Sequence, residues 1–305
     1  MKRLVIVYSP RSARFGEVEE KVLEKARKLS GWMVCKFKVE EAPVRENAKR
    51  LAMIIRKGDL VLSAGGDGTA TMVLNAIIES GKLATMAVMP FGNFNDYAES
   101  LGKMSLERIV RKFEEGQFKE FYPLEVKVNK KHYGHVGMYF SVGLMAESAG
   151  VLKGVKVRKK LKKARNRMLF SARKTFLWLL KNKHRRDFLP DELTINGKSV
   201  VKTTTDYVAM NGNSMIGMIP GGVWYLASKE FWSGTMRNRS VLRMFCKFVK
   251  AMEGELPGGL TKKDVLEFPR SCDVYVHAEG EGERLRGVSS IEIQKTGKSL
   301  RVISA

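Results

Sequence analysis

At residues 60–69 the chain reads LVLSAGGDGT, a short apolar run that stops at glycines, an aspartate and a threonine. The run predicts a buried strand, and apolar residues at 72–78 predict a helix after the turn. A strand, a glycine turn and a helix offer backbone N–H groups and a positive helix end, which suit a phosphate. Asp67 adds a negative charge that a phosphate does not need, so it predicts a metal ion, a hydroxyl or a proton nearby. An ordinary tight strand-to-helix turn is the simpler alternative.

Strand and helix patterns alternate through the first part of the chain. Apolar periodicity predicts strands at 3–8, 33–39, from 60 and at 85–90, and helices at 18–29, 47–56 and 106–113. This alternation predicts a doubly wound parallel sheet, in which ligands lie beyond the carboxyl ends of the strands. Three loops leave those ends, at 9–14, 65–69 and 91–96, and we expect them to converge on one ligand.

A different pattern follows, with short strands separated by turn residues. The predicted strands are 121–128, 132–142, 206–211, 223–227, 265–268, 272–278 and 291–294. They indicate a second, mostly antiparallel domain of the β-sandwich type. We therefore divide the chain into an α/β nucleotide-binding domain at 1–122 and a β-sandwich lipid-binding domain at 123–296, and expect the ligand in a cleft between them.

The composition indicates a folded, strongly basic protein. Its 305 residues are 44% hydrophobic, carry a net charge of +23 and contain no apolar run long enough to span a bilayer. The first residues predict a strand and not a signal sequence. Three widely spaced cysteines, Cys35, Cys246 and Cys272, predict a reducing compartment and no zinc site. The charge favours a negative partner, namely an anionic membrane, nucleic acid or a polyphosphate ligand, although a proteome that is basic throughout would also explain it.

The positive charge is densest at residues 153–186, where fifteen Lys and Arg side chains occur without any Asp or Glu. Apolar residues at helical spacing predict a basic amphipathic helix near 158–183, with Trp178 toward its end. Such helices lie on anionic membrane surfaces. An equal alternative is a helix that packs its apolar side on the β domain while its Lys and Arg side chains face solvent. The two interpretations are compatible, since the apolar side can pack while the cations face lipid. Nucleic acid ranks third because the chain has no motif that reads it.

The glycine turn resembles the GGDGT signature shared by the diacylglycerol kinase, sphingosine kinase and NAD kinase superfamily. It matches neither GxxxxGK[ST] nor GxGxxG. A second stretch, PFGNFNDYA at residues 90–98, resembles the PxGTxNDxA motif of the lipid kinase branch and favours that branch over NAD kinase. Asn93 stands where the family usually has threonine, and its amide can still bond a phosphate or ribose. Asn93, Asn95 and Asp96 are also good helix N-cap residues in their own right.

Two further segments resemble the same family. YSPRSA at residues 8–13 is similar to its opening NPxSG, with Ser9 for Asn and Ala13 for Gly. EGE at residues 279–281 is similar to its DGE, whose final Glu is the proton acceptor. Glu281 inherits that role, and Glu279 inherits the place of the Asp. The family's LDDG stretch, which holds a structural Mg²⁺, has no acidic counterpart at 223–229, so we expect that metal site to be absent.

The resemblance implies a lipid kinase that transfers the ATP γ-phosphate to a lipid hydroxyl, with diacylglycerol as the leading substrate. It implies ATP-bound Mg²⁺ at Asp67, which joins Glu281 as a catalytic candidate. It also implies a cytoplasmic protein at the inner face of the membrane and is compatible with a homodimer. In proteins of this family type, the last strand, here within 297–305, is expected to pair in the first domain. The implied nucleotide contacts are Ser9, Ser12, Gly65, Gly66, Asp67, Gly68, Thr69, Thr71 and Asn93, and the implied substrate contacts are Asn95, Asp96 and Glu279.

Three alternatives remain open from the sequence. An NAD kinase shares GGDGT but needs neither the GxxND turn nor the basic helix. A sphingosine-type, long-chain-base kinase shares both motifs. A catalytically degenerate protein that binds nucleotide or anionic membrane without turnover would explain the departures at Ser9, Ala13, Asn93 and Glu279.

Overall fold

A computed structural model of the chain describes its residues apart from 94, 154–156, 158–159, 161–166, 182–187, 191, 202–203, 213, 216–218, 221–226, 238–257 and 279–280. The described residues form two compact units. The first unit contains Met1–Pro123, residues 227–228 and Thr296–Ala305, and the second contains the remaining described residues between Leu124 and Lys295.

The first unit alternates strands and helices. Its elements are β1 (Lys2–Tyr8), α1 (Phe15–Val18), a π-helical turn (Glu19–Glu24), α2 (Lys25–Arg27), β2 (Trp32–Lys38), α3 (Val44–Ile54), β3 (Leu60–Gly65), α4 (Asp67–Ser80), β4 (Thr85–Pro90), α5 (Asp96–Leu101), α6 (Leu106–Glu114), β5 (Lys119–Phe121) and β18 (Leu300–Val302). These bounds agree with the predicted elements to within a few residues. The helix after the glycine turn is the main difference, because it already begins at Asp67.

The six strands form one sheet in the order β2-β1-β3-β4-β18-β5. Neighbouring pairs are parallel except the last, in which β5 runs antiparallel to β18. The final strand therefore returns to the first unit, next to β4. Tyr8 pairs with Ala64, and Gly65 pairs with Pro90. Since β1, β3 and β4 end in register, the three loops that follow them leave from one edge of the sheet.

The second unit is mostly antiparallel. Its elements are β6 (Leu124–Val128), β7 (Lys131–Val136), β8 (Tyr139–Gly143), α7 (Leu144–Lys153), α8 (Arg167–Lys181), β9 (Thr194–Ile195), β10 (Lys198–Ser199), β11 (Thr204–Met210), β12 (Ser214–Met215), β13 (Ile219–Pro220), β14 (Phe231–Arg237), β15 (Gly259–Thr261), β16 (Lys263–Ala278) and β17 (Glu281–Lys295). The main path of its ten-stranded sheet runs β15-β14-β11-β8-β16-β17-β6-β7, and β9 and β10 branch from β16. Together with the parallel sheet of the first unit, this confirms the predicted fold class.

Side chains from distant parts of this antiparallel sheet share one core. Phe140 of β8, Phe231 of β14 and Ile293 of β17 belong to the same buried cluster, each fully excluded from solvent. Register shifts between Glu267 and Cys272 interrupt the long β16–β17 hairpin. Bulges of this kind bend a strand, which allows one sheet to curve around a single core.

Several predicted strands of this unit had wrong bounds. The prediction for 121–128 divides into β5 and β6, because Pro123 has no N–H to donate to a ladder. The prediction for 132–142 divides into β7 and β8. Conversely, 265–268 and 272–278 are one bulged strand, β16, and 291–294 is only the end of β17. Most of the predicted strand at 223–227 lies outside the described residues, as does much of the predicted basic helix, of which 167–181 is described as α8.

Candidate phosphate-binding site

The three loops predicted to converge do meet at the carboxyl edge of the parallel sheet. The N–H of Phe91 donates to the carbonyl of Gly65 at 2.8 Å, joining the loop after β4 to the loop after β3. The N–H of Arg14 donates to the carbonyl of Phe91 at 3.1 Å, which adds the loop after β1. The guanidinium of Arg14 also donates to the carbonyl of Pro90. The three loops thus form one hydrogen-bonded cluster.

Two glycines bring the second and third loops into backbone contact. A Cβ added at Gly92 would lie 2.5 Å from the Cα of Gly66, and one added at Gly66 would lie 3.1 Å from the Cα of Gly92. A Cβ at Gly65 would lie 2.5 Å from the Oγ1 of Thr69. Gly92 therefore requires glycine, since a side chain there would overlap the backbone of Gly66, whereas the obstacle at Gly65 is the Thr69 side chain.

The start of α4 presents the features of an anion site. Gly66 is the N-cap residue and carries no capping side chain. The first N–H groups of any helix have no partner within the helix, and the helix dipole is positive there. Gly66, Asp67 and Gly68 are half-exposed, whereas the residues on either side of them are buried. A phosphate can therefore approach this turn from solvent.

The structure gives Asp67 a role that the sequence reading missed. Its Oδ2 accepts a hydrogen bond from the N–H of Asn95 at 2.9 Å, and its Oδ1 accepts one from the N–H of Tyr97 at 3.2 Å. The carboxylate thus supplies an N-terminal cap to α5, a helix from the other motif. Asp67 holds the GGDGT turn and the PFGNFND turn in a fixed relation.

Asn95 completes this link. Its φ of 102° lies in the left-handed region, which asparagine tolerates better than most side chains. Its Oδ1 accepts from the N–H of Gly92 at 2.7 Å. The side chain closes its own turn, and the backbone N–H remains directed at Asp67.

Asn93 is the polar side chain of this cluster that most clearly needs a partner. Its Oδ1 is buried and has no hydrogen-bond partner among the described residues. A buried polar atom without a partner is costly, so a ligand is the natural explanation. An amide can rotate to present its NH₂ group, which would donate to a phosphate or a ribose.

The loop after β1 contributes two small hydroxyls and a cation. Ser9 and Ser12 are buried, and the N–H of Ser12 donates to the carbonyl of Ser9 at 3.0 Å. The Nε of Arg14 is buried without a hydrogen-bond partner among the described residues, and its guanidinium lies 5.7 Å from the centre of the Phe91 ring. Arg14 therefore offers a donor and a positive charge beside the glycine turn.

Thr71 and Asp96, two other implied contacts, are engaged inside the first unit. The Thr71 hydroxyl donates to the carbonyl of Asp67 at 3.0 Å and lies 3.4 Å from the hydroxyl of Tyr97. Asp96 is 1% exposed at the start of α5. Direct contacts from either residue to nucleotide or lipid remain predictions.

The remaining candidates belong to the second unit. Glu281 is the first residue of β17 and pairs with Ala278. Glu279 lies outside the described residues. The proton-acceptor role of Glu281 and the substrate contact of Glu279 also remain predictions.

A polar pair in the second unit escaped the sequence reading. The ammonium group of Lys295 donates to the Oδ1 of Asn211, whose amide donates to the carbonyl of Gly137 at 2.7 Å. Burial lowers the pKa of Lys295 to about 7. Nothing in the sequence links Asn211 to a lysine 84 residues away.

A parallel sheet whose loops join a glycine turn, a helix N-terminus and an Asn93 oxygen with no partner among the described residues defines an α/β domain suited to a phosphate-bearing ligand. Residues 3–126 match the family model described as Diacylglycerol kinase catalytic domain. Residues 3–126 are thus similar to the catalytic domain of diacylglycerol kinases, which confirms the resemblance seen in the motifs of the chain.

Individual relatives agree with this family. The chain is 35% identical over 104 residues to a diacylglycerol kinase of Bacillus subtilis (strain 168), a match that covers 33% of this chain and 34% of the relative. It is 31% identical over 104 residues to a diacylglycerol kinase of Staphylococcus saprophyticus, covering 33% of each. The chain therefore matches about a third of the length of these relatives.

The fold likeness extends further than the sequence likeness. The crystal structure of a diacylglycerol kinase from Bacillus anthracis str. Sterne superposes with a TM-score of 0.68 at 16% identity, covering 100% of this chain and 97% of that one. At that identity the likeness shows a shared fold of both units and carries no assignment of substrate.

Proposed function

We propose that this protein is an ATP-dependent lipid kinase that phosphorylates the hydroxyl of diacylglycerol. The observation that carries this proposal is the contact between the GGDGT turn and the PFGNFND turn. The two turns touch through Gly66 and Gly92 and are tied by Asp67. An NAD kinase would share the first turn without needing the second.

Phosphoryl transfer needs positioning of the reactants and neutralisation of phosphate charge. In this proposal the N–H groups at the start of α4 hold the nucleotide phosphates, with Arg14 and Asn93 beside them. Ser9, Ser12 and Thr69 line the loops at the same edge as further contacts.

The donors present fit Mg²⁺ carried by the nucleotide. Asp67 is a half-exposed carboxylate at the start of α4, beside the N–H groups proposed to hold the phosphates. Hard oxygen donors are the ligands that Mg²⁺ prefers, and the ion would offset phosphate charge. Glu281 is the proposed acceptor of the hydroxyl proton, on the strength of the family motif.

The basic segment is proposed to hold the protein on an anionic membrane. Within the described part, α8 exposes 41% of Leu177 and 41% of Leu180, with Arg173 and Lys181 exposed on the same helix. Exposed leucines beside cations are typical of a helix lying in the membrane interface. Elsewhere on α8, the ring of Trp178 packs 6.2 Å from that of Phe188, so the helix has both a packed and an exposed side.

None of the described helices is long and apolar enough to cross a membrane. We propose peripheral attachment at the cytoplasmic face, where both ATP and anionic lipid are available.

The activity test supplies ATP and Mg²⁺ with vesicles that contain phosphatidylglycerol and either diacylglycerol or a long-chain base, and with NAD in a separate reaction. Phosphorylated diacylglycerol from the wild type supports the proposal. The Glu281→Gln protein should lose turnover far more than ATP affinity, whereas Glu283→Gln, two residues along β17, should not. Phosphorylation of the long-chain base or of NAD instead of diacylglycerol would contradict the proposed substrate. ATP binding without any phosphorylated product would favour the catalytically degenerate alternative.

The membrane test is sedimentation with phosphatidylglycerol vesicles at low and high salt, with nucleic acid as competitor. Leu177→Asp combined with Leu180→Asp should reduce the bound fraction, whereas Met53→Asp, at an exposed methionine in the first unit, should not. If the wild type, the double leucine variant and Met53→Asp all bound vesicles equally, the proposed role of α8 in membrane binding would be contradicted. If nucleic acid displaced all of the protein from the vesicles, nucleic acid and not the membrane would be the favoured partner.

A further inference from the structure

We propose that Glu125, His132 and His135 form a site for one divalent transition-metal ion, of which Zn²⁺ is the example used here. The three residues lie on the β6–β7 hairpin of the second unit. Their possible ligand atoms all lie within 4.8 Å of one another. This site is separate in residues and in chemistry from the proposed nucleotide site.

A β-bulge places the two histidines on one face. In a regular strand, residues three positions apart point to opposite faces. On β7 the register shifts, so that Val126 and Lys127 pair with residues two positions apart and Tyr133 is the extra residue. The bulge turns His132 and His135 to the outer face, whereas Tyr133 packs against the core.

The spacing suits an ion better than a direct hydrogen bond. The Nδ1 of His132 lies 3.5 Å from the Oε1 of Glu125, which is longer than a normal hydrogen bond. Zinc bonds of about 2.0–2.2 Å in tetrahedral geometry separate neighbouring ligand atoms by about 3.3 Å. His135 is the cross-strand partner of Glu125, and its ring centre lies 4.8 Å from that of His132 at a tilt of 51°. A small rotation of the exposed His132 ring would bring the nitrogens together.

A neighbouring amide already orients the carboxylate. Gln294, the partner of Glu125 on β17, donates from Nε2 to Oε2 at 3.0 Å. This bond leaves Oε1 facing the histidines. Hydrogen bonds that hold a ligand from behind are the usual support of metal sites.

The charge and donor types indicate which ions fit. The Nζ of Lys127 lies 3.7 Å from Oε2 of Glu125 and 3.5 Å from Oε1 of Glu292. Because Lys127 is shared between two carboxylates, it does not cancel the negative charge of Glu125. Two imidazoles and one carboxylate suit Zn²⁺ and neighbouring first-row ions, whereas Mg²⁺ and Ca²⁺ prefer oxygen ligands alone. With three protein ligands, a fourth position remains for water.

A bound ion would tie together the two strands at one end of the main sheet path. β7 is the last strand on that path, and the bulge interrupts its pairing with β6. An ion that binds only the folded hairpin stabilises it by mass action. The expected consequence is a protein whose second unit resists unfolding better with Zn²⁺ than without it.

The test begins with the full chain stripped of metal by a chelator and then exchanged into chelator-free buffer. Bound Zn²⁺ is counted by elemental analysis after equilibrium dialysis, and affinity is measured by competition with a chromophoric chelator. We expect a high-affinity Zn²⁺ site that loses at least about ten-fold in affinity in His132→Ala and again in Glu125→Gln, since ligands matter at least as much as their supports. Lys131→Ala, at an exposed residue of the same hairpin, is the matched control and should bind as the wild type does.

Two outcomes would overturn this site. One is a wild type that binds no Zn²⁺ although its circular dichroism shows a folded protein. The other is a His132→Ala/His135→Ala protein that keeps the full stoichiometry and affinity, which would place the ion on other residues. Zn²⁺ should also raise the melting temperature of the wild type and of Lys131→Ala, and should leave that of the double histidine variant unchanged.

Discussion

Replacing Asp67 with Asn tests whether this carboxylate holds the two motif turns together. The change keeps the size of the side chain and replaces one acceptor oxygen with an NH₂ group. In the wild type each oxygen accepts from one backbone N–H, those of Asn95 and Tyr97, at 2.9 and 3.2 Å. The amide can satisfy one of them, and its NH₂ group then faces the N–H of the other.

The expected loss follows from these two bonds. A hydrogen bond to a charged group contributes about 1.5–3 kcal/mol, and removal of a helix N-cap costs about 0.5–2 kcal/mol. Asp67→Asn loses one such bond, weakens the other and leaves one N–H facing a donor. We therefore expect the free energy of unfolding of the first unit to fall by about 2–4 kcal/mol. Because α5 loses its cap, its amides should exchange with solvent faster.

Urea unfolding and hydrogen exchange in peptides that cover α5 measure these effects directly. Glu99→Gln is the matched control, because it removes an exposed carboxylate from the same helix and only a surface ion pair with Lys103. That pair should contribute about 0–1 kcal/mol. ATP binding, measured in parallel with and without Mg²⁺, reports any separate role of the carboxylate in the ligand site.

An Asp67→Asn protein with wild-type stability and unchanged exchange in α5 would refute the capping role. If that protein also lost turnover, Asp67 would act in the chemistry alone. If it lost stability and recovered ATP affinity on addition of a stabilising osmolyte, the carboxylate would act mainly through the fold.

Two further outcomes are expected from the structure. Gly92→Ala places a Cβ 2.5 Å from the Cα of Gly66, so it should cost about 1–3 kcal/mol of unfolding free energy and weaken ATP binding, as urea titration and calorimetry would show. Asp206 is fully buried, and burial raises its pKa from 3.8 to about 7. Between those pH values the folded state keeps a proton that the unfolded chain has lost, so Asp206 makes the free energy of unfolding fall as pH rises. The slope should reach about 1.4 kcal/mol per pH unit. Urea titrations at a series of pH values should show this slope in the wild type and not in Asp206→Asn.

Both predictions, for Gly92→Ala and for Asp206→Asn, can be contradicted by a specific result. Gly16→Ala belongs to the same unit, and a Cβ there meets nothing within 4 Å, so it should be neutral or slightly stabilising. Equal behaviour of Gly92→Ala and Gly16→Ala would contradict the backbone contact. For Asp206, the amide can still accept from the N–H of Met145 and bond Thr205. An Asp206→Asn protein with the pH dependence of the wild type would contradict a buried acid that stays protonated to about pH 7.

Much of the first unit could be predicted because its signals are local. The run at 60–65 is apolar at every position except Ser63, and all six residues are buried. Strands of a parallel sheet are covered on both faces, so they leave this continuous pattern in the sequence. The second unit was harder, because its strand ends depend on pairing: β16 continues through a bulge where the sequence suggests a break.

The sequence by itself determined the order of most strands and helices in the first unit, the place of the glycine turn at a helix start, and the family that its motifs resemble. These follow from periodicity, from the backbone freedom of glycine and from short runs of residues. Only the tertiary structure decided that Asp67 caps a helix starting 29 residues later and that Gly66 and Gly92 share one backbone contact. Only the tertiary structure, too, placed a bulge that turns His132 toward Glu125. The reason is that such contacts join residues distant along the chain, and strand register and backbone approach set their geometry, neither of which a local pattern encodes.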